Sequence, residues 1–476
     1  MKSTLTTVFK PILTLNRKKL AILAVIIFIG AILRFVGADW GLPYKLHADE
    51  HAITDDAFRI AANQGHQPLT LNRPDHTSIK LIAFVWQIVD FLVGGDIAED
   101  YDANPIRYYT TARLVTASFG TASILLAFMI AAQFSPVAGL VAAGLFALSP
   151  TFVTHSHYIT PEILQTFCLL CVTFFMMLYL DNQKLSTLAL ACVFCALAFC
   201  EKYPSIFYVL VIAGGIALAE NIAKHPALTI KRWFQAGLIF TLTVFAVFPR
   251  LFFDWNEVVK VLQRENRTTH LGADGLNSPE NLLFYVQTYL SHFGWIVLLA
   301  SLFGFWQCAR LSKTKSMVMF IGLFYIVMLS FMNLHWERWG VPFYANMLII
   351  AAVGLVGLYE IAKQKSAGFS KISRLAVSAA TIALLFGLPS LNMLCASFEK
   401  TASFVAEDTR VAALTLVSEY GMTRENTLYE GYTPFRLASP RVIFDDFTDY
   451  DFSSPNDTNY EYIILSSSMY NRYLIP

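Results

Sequence analysis

The sequence has few charged residues, and it lacks the short motifs that mark soluble nucleotide-binding and hydrolase domains. Charged residues make up 14% of the 476 positions, whereas soluble domains carry roughly a quarter. That scarcity excludes an ordinary soluble protein. No P-loop, dinucleotide fingerprint or G-x-S-x-G element occurs. Basic residues are not interleaved with aromatics as in a nucleic-acid footprint, so we expect no nucleic-acid partner.

Cysteine is also scarce, with seven residues in the chain. Cys168 and Cys171, like Cys192 and Cys195, have the C-x-x-C spacing of some zinc and redox sites. Both pairs lie within apolar segments without a neighbouring histidine, which favours a role as small apolar core residues. The segments between the apolar runs contain almost no cysteine, so we expect no disulfide framework.

What the chain has in abundance is apolar sequence, at 56% of its residues. Runs of about 18 or more apolar residues recur, each long enough to cross a bilayer as a helix. We therefore predict an all-α polytopic membrane protein with about eleven transmembrane helices. Their approximate cores are 20–37, 111–133, 136–154, 162–180, 186–200, 204–221, 233–250, 292–309, 316–333, 341–360 and 375–395. The basic start Arg17-Lys18-Lys19 precedes the first core without a small-residue cleavage site, which predicts a retained signal anchor.

The distribution of lysine and arginine predicts the orientation of these helices. The basic residues of the N-terminus and of loops 222–232, 310–315 and 363–374 all fall on one side, which the positive-inside rule assigns to the cytoplasm. Outer loops 38–110 and 250–291, the turn 334–340 and the tail then lie on the opposite side. A span at 78–94 would invert every later basic loop, so we predict an interfacial helix there.

The composition changes near residue 397, which divides the chain into a transmembrane domain, 1–396, and a polar tail, 397–476. The tail is predicted to contain a helix at 407–419 and short β-branched strands at 441–444 and 462–465. We expect it to form a small extracytoplasmic α/β domain.

The first outer loop contains an acidic pair in the run His47-Ala48-Asp49-Glu50. Carboxylates near a membrane are costly to desolvate, so they stay close to water or acquire a partner. Asp49 and Glu50 are candidate catalytic residues because such a pair can take a proton from an acceptor hydroxyl. The alternative is a solvated loop in which both residues favour the dipole of a following helix. Further along, Asp75 is interpreted as a cap of the interfacial helix.

A second group of candidates lies between the third and fourth spans. His155, His157 and Glu162 are placed near the outer surface and could contact a donor or hold a divalent ion. The alternative for Glu162 is purely structural, because Pro161 and an acidic residue both fit the first turn of a helix.

Lys202 follows the fifth span in a very short connection, so it must lie near the membrane surface. There it could bind a lipid phosphate as a point charge. The alternatives are a snorkelling side chain or an ion pair with Glu201.

The remaining candidates come from the later outer segments. Loop 250–291 mixes charges, aromatics and glycines as a mobile lid would, and within it Arg264 and His270 are candidate lid or acceptor residues. Arg338 lies between Trp336 and Trp339, an arrangement that suits a phosphate or sugar contact. Interfacial anchoring of the two tryptophans is the alternative.

In their order along the chain, these elements resemble those of the GT-C glycosyltransferases of family 39 type, which include protein O-mannosyltransferases and bacterial aminoarabinose transferases. The resemblance rests on Arg34-Phe35, Leu42-Pro43, His47-Ala48-Asp49-Glu50, Ala112-Arg113-Leu114-Val115, Leu148-Ser149-Pro150, His155-Ser156-His157-Tyr158, Lys202-Tyr203-Pro204 and Arg338-Trp339-Gly340-Val341-Pro342. The chain departs from the family at 74–78, where relatives often have a Pro-Pro-Leu-Tyr-like element. It also has Glu162 where relatives commonly have aspartate.

The resemblance implies a GT-C fold and a polyprenyl-phosphate-linked sugar donor, used at the extracytoplasmic face of the plasma (inner) membrane. It implies that Asp49 is the general base, supported by Glu50, in an inverting and metal-free displacement. Lys202 and Arg338 would stabilise the donor phosphate, and His155, His157 and Glu162 would complete the donor site. The expected partners are that donor, membrane lipids and an acceptor glycan, lipid or protein.

Two other functional classes remain open at the level of the sequence. A secondary transporter would have short loops, polar breaks near the membrane midplane and paired halves. This chain instead concentrates its polar residues in the outer loops. A non-catalytic membrane scaffold would tolerate replacement of Asp49 and Glu50.

Overall fold

The computed structural model describes residues 8–423 except 72 and 271, together with 426–429, 433, 461–467 and 471. Among the described residues of its first half, the chain forms eleven α-helices and a 3₁₀ turn. Their bounds are α1 Lys10–Leu13, α2 Arg17–Phe35, α3 Glu50–Ala61, α4 His76–Val93, α5 Ile97–Ala103, α6 Pro105–Ala131, α7 Pro136–Ala147, α8 Pro150–Ser156, α9 Pro161–Asn182, α10 Leu185–Glu201, the 3₁₀ turn Tyr203–Tyr208 and α11 Val209–Ala219.

The second half continues in the same manner and ends in one strand pair. Its elements are α12 Pro226–Val247, α13 Arg250–Phe253, α14 Trp255–Glu265, α15 Ser278–Leu311, α16 Lys313–Leu329, the 3₁₀ turn Glu337–Gly340, α17 Val341–Lys365, α18 Lys371–Ile382, a π-helical turn Ala383–Gly387, α19 Leu388–Val405, α20 Thr409–Glu419, β1 Thr427–Tyr429 and β2 Tyr462–Ile464. The two strands pair in parallel.

Several helices begin with a proline that follows an asparagine or a serine. Helices α6, α7 and α8 each begin with proline, and the side chains of Asn104, Ser135 and Ser149 before them each accept a backbone N–H bond. Proline fits the first helical position because its missing N–H would have no partner there. Ser149-Pro150 also separates α7 from α8, which are bent by 57° relative to each other.

The prediction of an all-α polytopic membrane protein is confirmed. Seven of the described helical segments are long and apolar enough to cross a membrane, or eight if the bent pair α7–α8 forms one span. All eleven predicted cores overlap helices. Four of them lie outside that set of eight: those of α2, α10, the Tyr203–Ala219 segment and α16. The exact count of eleven therefore stays a prediction.

Burial separates the central helices from the peripheral ones. The most apolar windows of α9 and α17 are 83% and 89% buried, while those of α12 and of the 371–419 segment are only 11% buried. Apolar helices with such exposed surfaces fit contact with lipid chains. The cysteines agree with a packing role, because all seven are free and all but Cys395 are buried.

Helix α4 covers the predicted interfacial segment. One of its faces buries Ile79, Ile82 and Trp86, while Phe84 and Phe91 on the other face are exposed. Its length and composition would also allow a span. The interfacial placement therefore stays a prediction, supported by the apolar exposed face.

The tail agrees in part with its prediction. The helix at 407–419 is confirmed as α20, and the strand at 462–465 is confirmed as β2. Strand β1 was not predicted, and the predicted strand at 441–444 lies outside the described residues. Helix α19 runs without a break through the predicted domain boundary at 396/397, and the division into two domains stays a prediction.

Candidate active site

A cavity of about 1290 Å³ lies at one end of the helix bundle. It is formed where the first long loop meets the start of α9, the end of α10, the segment after α14 and the turn before α17. Six of the predicted site residues line it: Asp49, His155, Glu162, Lys202, His270 and Arg338. The structure does not bring the other three, Glu50, His157 and Arg264, to its wall.

Asp49 lies between two arginines in this cavity. Its Oδ2 forms a close ion pair with Arg338 Nη1, and its Oδ1 is 3.3 Å from Arg73 Nη1. Arg73 Nη2 also donates to the Asp49 carbonyl oxygen at 3.0 Å. Burial on its own would raise the pKa of the Asp49 carboxyl, but Arg338 and Arg73 together lower it to about 2. Asp49 is therefore ionised and can only accept hydrogen bonds.

Glu50 has a different environment although it is the next residue. Its carboxylate is buried and receives two hydrogen bonds from Arg113, at 3.0 Å from Nε and 2.7 Å from Nη2. The Ile159 N–H donates to it at 2.9 Å. Glu50 therefore joins the start of α3 to α6 and to the α8–α9 connection. Glu50 does not line the cavity, and its predicted role as a catalytic residue that supports Asp49 stays a prediction.

Glu162 contacts two cations, one of which is the Arg338 that also pairs with Asp49. Lys202 Nζ donates to Glu162 Oε1 at 2.9 Å, and Arg338 Nε lies 3.8 Å from the same oxygen. Burial lowers the pKa of Lys202, and the Glu162 carboxylate opposes that effect. The alternative in which Lys202 pairs with Glu201 is wrong, because the Glu201 carboxylate instead accepts from the Ser78 N–H at 2.8 Å and from the Ser78 hydroxyl.

Two tryptophans stack with these cations. Arg338 lies 5.4 Å from the centre of the Trp336 ring, and Lys202 lies 5.6 Å from that of Trp339. Both tryptophans line the cavity. Their position favours a role inside the site, because an aromatic face holds a cation in place by its quadrupole.

Sequence reasoning missed Arg73 and misread Asp75. Asp75 has a left-handed backbone with a φ of 45°, and its side chain makes no cap bond to α4. Its Oδ2 lies instead 2.9 Å from Arg73 Nε. The charged residues of the Arg73-Pro74-Asp75 run were visible in the sequence. The sequence could not predict that Arg73 contacts Asp49, because the two residues are 24 positions apart and are brought together by the fold.

The two predicted histidines, His155 and His157, lie in different places: His155 lines the cavity and His157 does not. His155 is largely buried and lines the cavity. The ring nitrogens of His157 lie 2.8 Å from the Val153 carbonyl oxygen and 2.9 Å from that of Val36, and its ring stacks on Phe404. The assignment of His157 to the donor site is therefore corrected to a structural one. A further histidine that was not predicted, His292, lines the cavity.

The predicted lid is only partly at the site. Arg264 is exposed on α14 and does not reach the cavity wall. His270 does, and its ring packs edge-on against Trp336 with centroids 4.7 Å apart. Glu265 and Arg267 between them also line the cavity.

Among the described residues, no group of three or more His, Cys, Asp or Glu side chains has the arrangement of a metal site. His157 cannot share an ion with His155 and Glu162 in this arrangement, because both of its ring nitrogens face backbone carbonyl oxygens. The expectation that transfer is metal-free stays a prediction.

The chain is similar to known proteins in one segment of its sequence and in its fold. Residues 109–249 match the family model of dolichyl-phosphate-mannose-protein mannosyltransferases. No curated protein sequence matches the chain.

Two solved structures illustrate the similarity in fold. One is ArnT from Cupriavidus metallidurans bound to undecaprenyl phosphate, with a TM-score of 0.52 and 14% identity over 89% of this chain and 84% of that one. The other is the oligosaccharyltransferase AglB from Archaeoglobus fulgidus with an inhibitory peptide and a dolichol-phosphate. It has a TM-score of 0.52 and 14% identity over 90% of this chain and 65% of that one. The chain is therefore similar in fold to ArnT and AglB, and similar over residues 109–249 to the dolichyl-phosphate-mannose-protein mannosyltransferases.

Proposed function

We propose that the protein is a membrane glycosyltransferase that moves a sugar from a polyprenyl-phosphate donor to an acceptor hydroxyl. The observation that carries this proposal is the cavity in which Asp49 and Glu162 share three cations: Arg73, Lys202 and Arg338. Cations of this kind can stabilise the negative charge of a phosphate, and a carboxylate of this kind can accept the proton of a hydroxyl nucleophile. The fold supports the proposal, since the matched ArnT and AglB structures contain undecaprenyl phosphate and a dolichol-phosphate.

In the proposed reaction, the acceptor oxygen attacks the anomeric carbon while Asp49 takes the hydroxyl proton. The bond between that carbon and the phosphate oxygen breaks, and polyprenyl phosphate leaves with the electron pair. Attack from the face opposite the phosphate inverts the anomeric centre. A positioned general base contributes about 10²–10⁴-fold to such a rate.

Lys202 and Arg338 would stabilise the negative charge that grows on the leaving phosphate. Both lie against Glu162, which holds them in one place before the donor arrives. Cations that are fixed in advance stabilise a developing charge without the cost of reorganising solvent. Glu162 would therefore act by positioning, together with the two tryptophan rings.

The low pKa of Asp49, about 2 in the resting cavity, makes it a weak base until the donor binds. A phosphate that enters beside Arg338 competes with Asp49 for the same guanidinium. As that ion pair loosens, the pKa of Asp49 rises and the carboxylate becomes a better proton acceptor. Donor binding would thus activate the base, which would limit wasteful reaction with water.

The location of the cavity suits a donor that cannot leave the bilayer. The site lies at the end of the bundle, where a lipid chain could stay among the apolar helices while the sugar reaches water. The positive-inside rule assigns this end to the extracytoplasmic side. The acceptor would be a glycan, a lipid or a protein hydroxyl.

The test uses the purified full-length protein in detergent with a panel of polyprenyl-phosphate sugars and crude envelope extract as acceptor. Release of free polyprenyl phosphate is measured over time. We expect release from one donor class, and a fall of about 10²-fold or more in Asp49→Asn, which keeps the shape of the side chain but cannot take the proton.

Asp102→Asn is the matched control, because its carboxylate lies in the same loop and is 90% exposed. It should keep wild-type turnover. Turnover that survives Asp49→Asn intact would overturn the general base. No release from any donor with any acceptor fraction would overturn the transferase proposal.

A further inference from the structure

Asp75 is an unusual residue that follows the cavity-lining residues Arg73 and Pro74 but does not itself line the cavity. Its side chain is 1% exposed, and its backbone has a φ of 45°. A residue with a side chain rarely adopts this left-handed conformation, although aspartate, asparagine and glycine tolerate it best. Local strain of this kind persists only where the surroundings hold it in place.

Contacts with the end of α10 keep the backbone of Asp75 in this conformation. The Asp75 N–H donates to the Glu201 carbonyl oxygen at 3.2 Å, and the Glu201 side chain accepts from Ser78 three residues later. Lys202, the residue after Glu201, lines the cavity. The turn that carries Asp75 is thus tied to the segment that presents a proposed phosphate ligand.

The Asp75 carboxylate acts on Arg73. Arg73 Nε lies 2.9 Å from Asp75 Oδ2 and Arg73 Nη1 lies 3.3 Å from Asp49 Oδ1, both as ion pairs without hydrogen-bond geometry. Arg73 Nη2 donates a hydrogen bond to the Asp49 carbonyl oxygen at 3.0 Å. A guanidinium is a rigid planar fork, so an ion pair at Nε restricts the directions that the other two nitrogens can take. Without Asp75, Arg73, which lines the cavity, would keep Asp49 as its one carboxylate partner among those described and would be less restrained.

We propose that Asp75 is a positioning residue for sugar transfer, which holds the Arg73 fork so that Asp49 is aligned with the acceptor hydroxyl. This inference rests on the proposed function and adds to it a residue that does not line the cavity.

The charge of Asp75 provides a readout that packing alone does not. Burial raises the pKa of Asp75 to about 6, while Arg73 opposes the rise. Asp75 is therefore ionised at neutral pH, and it becomes protonated and releases Arg73 as the pH falls through about 6. The titratable and charged groups that act on it are Asp49, Arg73, Glu162, Glu201, Lys202, Tyr203 and Arg338.

The experiment measures kcat and donor KM for Asp75→Asn and Asp75→Gly, alone and with Arg73→Lys. Both replacements tolerate the left-handed backbone. We expect kcat to fall about 10- to 100-fold with little change in KM, since a small misplacement of a reacting group costs about 10²-fold. The wild-type kcat should decline below about pH 6, and Asp75→Asn should lose that decline.

Asn63→Gly is the control. Asn63 also has a positive φ, but it is exposed and does not line the cavity. If Asp75 acts through Arg73, its replacement should have almost no further effect in Arg73→Lys, because residues that act as a unit are not additive. Additive losses, or an unchanged acid limb, would overturn the inference while wild-type turnover still supports the transferase. Absence of wild-type turnover would overturn both.

Discussion

At the scale of single residues, the two adjacent carboxylates Asp49 and Glu50 have different environments. The side chain of Asp49 is 29% exposed and faces arginines that line a cavity, whereas that of Glu50 is 1% exposed and closed off by Arg113. A buried bidentate pair gives orientation, and a carboxylate beside open space can meet a substrate. Under the proposed function, Asp49 would therefore carry the chemistry and Glu50 would support it.

Glu50→Gln tests that division. It should lower thermal stability strongly, by about 3–5 kcal/mol, because it leaves the buried Arg113 without a counter-charge. The measurement is the unfolding midpoint in detergent, compared with Asp49→Asn, which should fall much less because its two arginines remain near water. If Arg113→Met is added to Glu50→Gln, much of the lost stability should return. Equal loss in the Asp49 and Glu50 variants would contradict the division.

Lys202→Gln tests the phosphate assignment. Free polyprenyl phosphate, the proposed product, should inhibit the variant about tenfold or more weakly, since a hydrogen bond to a charged group contributes about 1.5–3 kcal/mol. Lys260→Gln is the matched control, because the Lys260 side chain is 60% exposed and pairs with the nearby Glu257. Unchanged inhibition in Lys202→Gln would remove Lys202 from the phosphate site.

The sequence predicted much of this site because ionisable residues in apolar surroundings are few and stand out. Asp49, Lys202 and Arg338 were found in that way and do line one cavity. The sequence could not separate His155 from His157: two positions along a helix differ by about 200°, so one faces the cavity and the other packs on Phe404.

At the scale of elements, the close approach of α15 and α17 sets the centre of the bundle. A Cβ added at Gly354 would lie 2.0 Å from the Ala300 carbonyl oxygen, and one at Gly304 would lie 2.2 Å from that of Ile350. Small residues let membrane helices pack backbone to backbone. Helix α17 begins next to the turn that carries Arg338, so its packing also positions the cavity wall.

Gly354→Ala tests this contact. The added methyl group meets backbone that cannot rotate away, so we expect a loss of about 1–3 kcal/mol, as for overpacked cores. The readout is the thermal midpoint in detergent. Gly237→Ala on α12 has no atom within 4 Å of the added Cβ and should leave the midpoint unchanged or slightly raised. A harmless Gly354→Ala would show that α15 and α17 are not held this closely.

At the scale of the whole molecule, polar clusters lie at both ends of the central helix α9. Glu162 in its first turn binds Lys202 at the cavity, and Asp181 in its last turn binds Lys315 at 2.8 Å. At 1.5 Å per residue these two positions are ~28 Å apart, which matches the ~30 Å hydrocarbon core of a bilayer. The apolar runs predicted the helices. The sequence predicted the clusters less well, because they join segments that are distant in the chain.

The same two ends allow a direct test of orientation. Positive-inside reasoning places Lys313 in the cytoplasm and Asp102 outside. Single cysteines at these positions, Lys313→Cys or Asp102→Cys, would be introduced after the exposed Cys395 is replaced by serine; the other six cysteines are buried. A membrane-impermeant thiol reagent should label Asp102→Cys in intact cells and Lys313→Cys only after permeabilisation. The reverse pattern would put the cavity on the cytoplasmic side, and the proposed donor would then have to be used there.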